Sequence, residues 1–580
     1  MKKVAKNGKQ SFIHGAFLLL LSLAVVKVIG AFFKIPLNQI IGNVGMGYFG
    51  TAYTIYNPIF SLATAGFPVA ISRLVSEACA RGQYREARRV HHLSIPIFLA
   101  LGTLSCLVMA FGARPYLEYA NRSDMNALPA VYVLAPAVLF SALAAIYRGY
   151  YEGLRNMAPT AVSQVVEALF KLFLGLGCSS WVLQRASEEY LLSGTVFGAA
   201  VESADYAQAA ALPYAAAGAI LGVTVGSLFS LLYLVLYYWR KRDGITQAML
   251  ERSPLPHSNR ELVRLLLKTA VPVAVGALAV NLSSLVDTTF LQNRLNDLMA
   301  QNPGGLVQQY GAYLDPVDVE QGRVPTALFG CYTNAVTLFM LIPAVTQAFG
   351  ISALPNITAA WASGNRERLK SGMERVLRVA SLVTIPAGLA LSVFAGPTAA
   401  LLGYNPITGR ILVLLGLGAI FAAYNTPLNS LLQAVGRVDL PVKFMGIGLV
   451  LKIVLNYVLV GVPEINVLGA GIGTLACYFF LTFCSLYFLA RETKISFSLF
   501  PLFVKPFLAA VLASVAGYWC RKGCLFFFSE TAGTLIAFLV FFLVYAAGVL
   551  MLRILKKSDV TGLPGGQKIA KTLENHHWIG

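Results

Sequence analysis

The chain has 580 residues, of which 57% are hydrophobic and only 12% are charged, and its mean hydropathy is +0.67. Soluble domains carry about 25% charged residues, so this composition excludes a soluble globular protein and indicates a membrane protein with many spans. The net charge of +19 would suit nucleic-acid binding only if the basic residues formed one face of a soluble module. Here they fall between apolar segments, so we expect no nucleic-acid partner.

Apolar segments cut by charge and turn clusters predict an all-α polytopic membrane protein with about fourteen transmembrane helices, since a crossing needs ~20 mostly apolar residues. In chain order the predicted spans cover 12–36, 48–71, 92–113, 128–148, 160–184, 210–239, 266–291, 326–350, 377–400, 409–433, 441–461, 466–490, 499–520 and 531–552.

The distribution of basic residues predicts the topology. Most of the 45 Lys and Arg residues lie in the N-terminal tail and in the alternate loops on the same side as that tail. Because loops rich in Lys and Arg stay in the cytoplasm, we expect the N-terminus to be cytoplasmic. An even number of spans then places the C-terminus there as well.

An internal repeat divides the chain. Positions in two predicted cytoplasmic loops recur further along the chain at a single offset, which predicts two six-helix lobes of the same orientation. The matched pairs are Gly82 with Gly364, Arg155 with Arg437, and Pro159 with Pro441.

The predicted division follows from this repeat. Transporters built from parallel repeats hold their substrate between the lobes near the midplane of the membrane, and two extra C-terminal helices have no repeat partner. The predicted segments are an N-lobe at 1–240, a cytoplasmic linker at 241–264, a C-lobe at 265–494, the extra helices at 495–553 and a cytoplasmic tail at 554–580.

Basic residues inside the predicted spans are the first candidates for a binding site. Lys27 and Lys34 lie in the first span, where a buried cation costs ~2.5 kcal/mol or more. We therefore predict a cavity that holds an anionic group. An internal ion pair, or a side chain that reaches the headgroups, is the alternative for both lysines. Arg73 ends the second span and could contact the same anion or simply follow the positive-inside rule.

Two further cations and one carboxylate lie in later spans. Glu167 and Lys171 are four residues apart on the fifth span, in the order that favours an ion pair along one helix face. We predict that they pair and face the cavity, and the alternative is an ion pair between helices. Lys452, close to the repeat image of Lys171, is the predicted cavity cation of the second lobe.

Asp287 is the only acidic residue besides Glu167 inside a predicted span. Carboxylate, amide and hydroxyl oxygens suit a hard cation, and Asn456 and Thr474 could supply the latter two. The alternative is that Asp287, near the outer end of its span, contacts water.

The stretch from Gly42 to Val90, GNVGMGYFGTAYTIYNPIFSLATAGFPVAISRLVSEACARGQYREARRV, resembles the polysaccharide-exporter branch of the multidrug/oligosaccharidyl-lipid/polysaccharide (MOP) flippase superfamily. It is most similar to the stage V sporulation protein B type, which is related to the MurJ-type lipid II flippases. The similarity extends back through Lys27 and Lys34 and forward through the loops at Gly153 and Gly436.

This resemblance implies a flippase in the bacterial cytoplasmic membrane with two lobes around a cavity and alternating access. Its cargo would be an undecaprenyl-linked sugar pyrophosphate such as lipid II, and its partners would include membrane lipids and cell-wall synthesis proteins. MurJ-type relatives have a basic residue where Lys27 stands and a second one near Lys34. An acidic residue follows the second one there, whereas Ile35 and Pro36 follow Lys34 here. Some relatives bind sodium at positions that match Asp287, Asn456 and Thr474.

Several functions compete with this one. No GxSxG, P-loop or HExxH motif occurs, so we expect no enzyme, no catalytic residue and no cofactor. Coupling to Na+, to H+ or to the membrane potential stays open. The alternatives are a cation-coupled multidrug exporter of the same superfamily, a membrane-embedded glycosyl or acyl transferase, and a non-transporting scaffold of cell-wall synthesis.

Overall fold

The structure is a computed structural model that describes residues 12–64, 66–120, 124–556 and 559. Helices dominate it, as predicted. The first eleven are α1 (Phe12–Thr64), α2 (Gly66–Ala80), α3 (Tyr84–Pro115), α4 (Leu128–Gly153), α5 (Ala158–Ser193), α6 (Ala204–Lys241), α7 (Gln247–Glu251), α8 (Asn259–Gln301), α9 (Pro303–Tyr310), α10 (Pro316–Glu320) and α11 (Val324–Phe339).

The helices that follow are α12 (Leu341–Ala362), α13 (Arg366–Val393), α14 (Ala395–Leu401), α15 (Pro406–Ala434), α16 (Asp439–Val460), α17 (Leu468–Thr493), α18 (Lys505–Cys524) and α19 (Glu530–Met551). The described residues include one short antiparallel hairpin, β1 (Thr195–Val196) and β2 (Ala199–Ala200). Single π-helical turns cover Tyr116–Ala120 and Phe500–Val504, and 3-10 turns cover Met125–Ala127 and Gly311–Tyr313.

The all-α polytopic fold predicted from the sequence is confirmed. Within the described part of the chain, 12 helical segments are long and apolar enough to cross a membrane. The first of them, Leu21–Ala80, has 60 residues, about three times the ~20 that one crossing needs. It overlaps the first predicted span from residue 21 and contains the second. The seventh predicted span, 266–291, lies within α8.

Helix α1 bends at Gly42, where the backbone leaves helical geometry (φ 63°, ψ −171°). A positive φ of this size is accessible to glycine at little cost because glycine has no Cβ. The bend divides α1 into an arm at 12–41 and an arm at 43–64. The second predicted span, 48–71, therefore continues through the second arm of α1 into α2.

The described residues form two compact units, within 1–333 and within 334–580. Helix α8 packs in the first unit, where Gln292 donates a hydrogen bond to Thr51 of α1 at 2.8 Å and Thr289 shares one with Tyr116 at 2.6 Å. Residues 265–333 thus pack with the predicted N-lobe in this structure. The division into six-helix lobes stays a prediction.

Part of the predicted linker lies against the N-terminal end of α3. The Asp243 carboxylate is buried and accepts hydrogen bonds from Arg88 at 2.7 and 2.8 Å and from the Tyr150 hydroxyl at 2.8 Å. Burial alone would raise the pKa of Asp243, but these bonds outweigh it and hold that pKa below its usual range. His257 contacts Glu86 at 2.5 Å. These ion pairs position the chain that leads into α8.

The repeated loops have matching local structure. Gly82 lies between α2 and α3 with φ 75°, and Gly364 lies between α12 and α13 with φ 68°. Each glycine follows its helix end by two residues and precedes the next helix by two. A left-handed residue at this place favours glycine, which explains why glycine stands at both positions of the repeat.

A stripe of glycines on α6 brings α6 close to α5. Gly218, Gly222 and Gly226 recur every fourth residue, the small-residue spacing that lets membrane helices approach closely. A Cβ on Gly222 would clash with the backbone of Gly175, and one on Gly226 would lie 2.7 Å from the Glu167 carbonyl oxygen. The glycine stripe thereby sets the position of the α5 backbone around Glu167.

The second unit has its own apolar core. Phe394, which is 1% exposed, contacts Phe538 and Phe541 of α19 at centroid distances of 5.1 and 6.0 Å. Ala509, Ala510 and Ala513 of α18 belong to the same cluster. The two extra C-terminal helices therefore pack into the core of this unit.

We expect Gly222→Ala to destabilise the protein, because the added methyl group must push the α6 backbone away from α5. Overpacking of this kind costs ~1–3 kcal/mol, and a lower midpoint of thermal unfolding of the purified protein would show it. Gly177→Ala is the matched control, since a Cβ there would meet nothing within 4 Å. Equal unfolding midpoints for the two variants would contradict the close approach of α5 and α6.

Candidate functional site

A cavity of about 350 Å³ lies inside the first unit, between both arms of α1 and helices α4, α5 and α6. Its volume lies at the lower end of the range of ligand pockets, ~300–1,000 Å³. The residues that line it are Leu23, Val26, Ile29, Gly30, Phe33, Tyr53, Tyr56, Asn57, Phe60, Arg148, Gln164, Glu167, Ala168, Lys171 and Val223. Apolar walls with a few polar groups are typical of a binding pocket.

One wall of the cavity is aromatic because the second arm of α1 repeats aromatic residues at helical spacing. Tyr53, Tyr56 and Phe60 lie three and four residues apart, on one helix face. Their ring centroids are separated by 5.7 Å (Tyr53 to Tyr56) and 5.0 Å (Tyr56 to Phe60). Phe33, on the first arm, contacts Phe49 at 6.0 Å. These rings join the two arms of α1 around the cavity.

Glu167 pairs with Arg148 of α4. The Arg148 Nη2 atom lies 2.9 Å from Glu167 Oε2 and also donates to Ser230 Oγ at 2.8 Å, while Nε donates to Ser163 Oγ at 3.0 Å. Ser227 donates to the other Glu167 oxygen at 3.3 Å. Glu167 is thus held by groups from α4 and α6.

The predicted pairing of Glu167 with Lys171 is therefore wrong, and the alternative, an ion pair between helices, is confirmed for Glu167. Both residues line the cavity, as predicted. The cause is the position of α4, which brings a guanidinium directly to the carboxylate. An Arg fork can bond a carboxylate and two hydroxyl groups in a fixed geometry, which a lysine on the same helix cannot match.

Lys171 interacts instead with aromatic groups. Its Nζ atom donates to the Tyr53 hydroxyl at 3.1 Å and lies 5.1 and 5.2 Å from the ring centroids of Phe33 and Tyr53. Cation–π contacts of this length contribute ~0.5–2 kcal/mol. Within the described part of the chain, Lys171 forms no ion pair with a carboxylate.

The two predicted cations of the first span lie near Lys171. Lys34 is half-buried, its Nζ atom lies 5.9 Å from the centroid of Phe49, and it is within electrostatic range of both Lys171 and Lys27. Lys27 is exposed, and its neighbour Val26 lines the cavity. The structure thus brings Lys27, Lys34 and Lys171 into one cluster, which we call the lysine cluster.

Arg73 does not line this cavity. Its side chain is 65% exposed and forms an ion pair with Glu77 on the same helix at 2.9 Å. An exposed pair of this spacing contributes little to stability. This position agrees with the positive-inside alternative, and a role of Arg73 in cargo binding stays a prediction.

The remaining predicted site residues lie on other helices. Asn456 of α16 and Thr474 of α17 are 1% and 3% exposed, and the Asn456 side chain packs against Gly473, next to Thr474. Lys452 is half-buried on α16. Asp287 lies in α8, but its side chain is outside the described residues, so the cation site it would share with Asn456 and Thr474 stays a prediction.

Sequence reasoning missed Arg148 and Tyr53. Arg148 stands at the cytoplasmic end of the fourth predicted span, where the positive-inside rule already accounts for a basic residue, so nothing drew attention to it. The spacing of Tyr53, Tyr56 and Phe60 on α1 is a signal that could have been used. Only the packing of α1 on α5 shows that Phe33 and Tyr53 are the rings that contact Lys171.

We expect Arg148→Leu to be strongly destabilising, because it leaves Glu167 charged and unpaired among apolar groups. Removing one partner of a buried ion pair costs ~3–5 kcal/mol, and replacing both with apolar residues costs far less. Unfolding midpoints of Arg148→Leu, Glu167→Leu and the double variant measure this coupling. A double variant as unstable as the sum of the two single variants would contradict the ion pair.

Comparisons with known proteins agree with this architecture. The sequence profile of the family described as "Polysaccharide biosynthesis protein" matches residues 12–361, and the profile described as "MatE" matches residues 322–458. The first match covers more than half of the chain and includes every residue that lines the cavity.

Among curated proteins, the chain is 26% identical over 521 residues to "Lipid II flippase MurJ" of Bacillus subtilis (strain 168). The aligned region covers 87% of each chain. It is 25% identical over 471 residues to "Stage V sporulation protein B" of the same organism, covering 80% of each.

Among solved structures, "Lipid II flippase MurJ, inward closed conformation" aligns with a TM-score of 0.58 at 13% identity and covers 92% of this chain and 98% of that one. An inward-facing "multidrug resistance MATE family transporter of the MOP superfamily" aligns with a TM-score of 0.55 at 15% identity, covering 82% and 100%. At these identities the likeness shows the fold. Together with the profile match over 12–361, it confirms the resemblance found in the sequence: the chain belongs to the polysaccharide biosynthesis protein family of the MOP flippase superfamily.

Proposed function

We propose that this protein is an alternating-access flippase of the bacterial cytoplasmic membrane. It moves an undecaprenyl-linked sugar pyrophosphate, lipid II or a related cell-envelope precursor, from the inner to the outer leaflet. Both termini lie in the cytoplasm. Membrane lipids surround it and cell-wall synthesis proteins are its partners, and the proposal assigns no catalytic residue.

The observation that carries this proposal is the Lys171 ammonium, which lines the cavity and forms no ion pair with a carboxylate among the described residues. Glu167 is the only carboxylate among the residues that line the cavity, and Arg148 already neutralises it. Lys171 contacts only aromatic and hydroxyl groups. An anion that enters the cavity would therefore gain charge-assisted hydrogen bonds, which offset the cost of taking a phosphate out of water.

Arg148 adds a second feature that suits an anion. A guanidinium has five N–H donors, and the bonds to Glu167, Ser230 and Ser163 use the Nε and Nη2 groups. The Nη1 group forms no hydrogen bond within the described part of the chain, and Arg148 lines the cavity. These donors and the Lys171 ammonium could contact two oxygens of one pyrophosphate.

The relatives support this substrate class. One curated relative is named as a lipid II flippase, and the alignment with it runs over most of both chains. The name describes that relative, and this chain shares only 26% of its residues, so the identity of the glycan is part of the proposal.

A cation-coupled multidrug exporter is the second candidate, because the profile described as "MatE" matches residues 322–458. A cationic drug would meet repulsion from the lysine cluster, since like charges in a low-dielectric site repel strongly. Removing the charge of Lys171 should lower transport of a pyrophosphate by a flippase and raise export of a cationic drug by a drug exporter. A non-transporting scaffold would show no response.

We expect Lys171→Ala to abolish most cargo transport while the protein still inserts, since removing a charge makes insertion easier. Lys171→Arg should retain part of the activity, and Lys171→Glu should be inactive because it repels the pyrophosphate. Complementation of a flippase-deficient strain, with membrane levels checked by immunoblot, measures all three variants.

Lys443→Ala is the control for this series, because Lys443 is exposed and pairs with Asp439 at 3.0 Å on the same helix. Full complementation by a well-expressed Lys171→Ala variant would refute a role of this lysine in cargo binding. Export of a cationic drug that rises in both Lys171→Ala and Lys171→Glu would favour the drug exporter, because both changes remove the charge that repels the drug.

We also propose that Na+, H+ or the membrane potential drives transport, with Asp287, Asn456 and Thr474 as the cation site. The burial of Asn456 and Thr474 supports this, because their oxygens are shielded from water. We expect Asp287→Asn to abolish any sodium dependence of transport while the protein still folds, with Glu202→Gln, an exposed carboxylate, as the control. A sodium response equal to that of the unchanged protein would remove Asp287 from the site.

A further inference from the structure

The segment 311–323, in a loop predicted to be outside the cell, packs on the outer end of the first unit. Two hydrogen bonds fasten it to α6: the Tyr206 hydroxyl donates to Glu320 at 2.6 Å, and Arg323 Nη1 donates to the Ala209 carbonyl oxygen at 3.1 Å. The segment closes a second cavity of about 250 Å³. The residues around that cavity are Gln39, Ile40, Ile41, Gly42, Asn43, Val44, Asp205, Gln208, Ala209, Leu212, Leu314, Asp315 and Asp318.

The opposite wall of this second cavity is the bend of α1. Gly42 is the residue with non-helical geometry, so the two arms of α1 meet there. Just beyond the segment, the start of α11 packs tightly on the second arm, since a Cβ on Gly330 would overlap the carbonyl of Asn43 and one on Gly47 would overlap that of Thr326. The segment therefore lies over the point where α1 bends.

Asp318 is the buried charge in this contact. Its side chain is 13% exposed, and within the described part of the chain its Oδ1 atom has no hydrogen-bond partner. The nearest cation is Arg323, whose Nη1 lies 3.8 Å from Oδ1, too far for a hydrogen bond. A carboxylate in this setting is costly to ionise.

The charged and titratable groups around Asp318 come from every element packed against it, and most of them are acidic. Asp315 begins α10, where it accepts a hydrogen bond from the Val317 amide. Asp124 accepts a hydrogen bond from Tyr48 of α1 at 2.7 Å. Among the described residues, these groups are Asp315 and Glu320 on the segment, Asp205 and Tyr206 on α6, Tyr48 on α1, Asp124 before α4, and Arg323 before α11.

Burial raises the pKa of Asp318 from 3.8 to about 6; Arg323 opposes this rise, and the charges of Asp315 and Asp124 add to it. A carboxyl group whose pKa is raised in the packed state binds its proton more tightly there than when exposed. The packed state is therefore favoured at low pH and loses stability as the pH rises through about 6.

We propose that the segment 311–323 is a proton-controlled latch over the bend of α1. Neutral Asp318 keeps the latch seated on α6 and Gly42. Ionised Asp318 is repelled by Asp315 and Asp124 and loosens it. The proton is the ligand of this device, and the latch responds to the pH outside the cell whatever cargo the first cavity holds.

Hydrogen exchange of the full-length protein in nanodiscs, followed by mass spectrometry of peptides from 311–323, tests this proposal. After correction for the intrinsic exchange rate, we expect about tenfold less protection at about pH 8 than at about pH 5, since protection falls about tenfold per pH unit only up to the packed-state pKa of about 6. Asp318→Asn should show the high protection at both pH values, because asparagine resembles the neutral acid.

Two further variants sharpen the test. Asp315→Asn keeps the helix cap but removes one repelling charge, so the transition should move to lower pH. Glu202→Gln removes an exposed carboxylate from the same side of the protein and should behave like the unchanged protein.

Protection that is independent of pH in the unchanged protein would overturn the proposal, and so would a pH response that persists in Asp318→Asn. Loss of protection at both pH values in Asp318→Asn would also overturn it, because the carboxylate would then be needed to hold the segment through Arg323. None of these outcomes depends on the cargo or on transport.

Discussion

The structure of the first unit depends on how charged groups are accommodated among apolar helices. A carboxylate at Glu167 is tolerable there because Arg148 and Ser227 supply its hydrogen bonds. With that charge neutralised, Lys171 forms no ion pair with a carboxylate among the described residues. Aromatic rings take the place of an acid, since Phe33 and Tyr53 contact the Lys171 ammonium.

Helix packing sets the geometry of this site. The glycines of α6 allow α5 to approach so closely that backbone atoms nearly touch at Gly222 and Gly175. That contact fixes the depth at which Glu167 and Lys171 stand relative to α4 and to the second arm of α1. Larger residues on the stripe would move both side chains away from Arg148 and Tyr53. The stripe glycines thus shape the site by allowing close helix packing, although they contribute no side chain to it.

The two arms of α1 connect the site to the outer end of the unit. The first arm carries Lys27, Lys34 and Phe33, and the second carries Tyr53, Tyr56 and Phe60. Because they meet at Gly42, a change of angle there would alter the distance between the lysines and the aromatic wall. Gly42 also lines the cavity under the segment 311–323. The segment 311–323 therefore contacts the same helix that carries two residues of the lysine cluster.

The sequence by itself determined the membrane class, the all-α fold, the family and the presence of cations within the first and fifth spans. These follow from composition, apolar length, charge distribution and short motifs, which are local properties of the chain. Local spacing also placed Glu167 and Lys171 on one face of α5. It could not identify the partner of Glu167, because Arg148 reaches that carboxylate from another helix. Only the tertiary structure decided that pairing, the burial of Asp318 under its own loop, and the separation of Arg73 from the lysine cluster. Each of these features depends on contacts between segments that are far apart in the chain. Close helix packing and the exclusion of water determine which charged groups lie next to each other in such contacts.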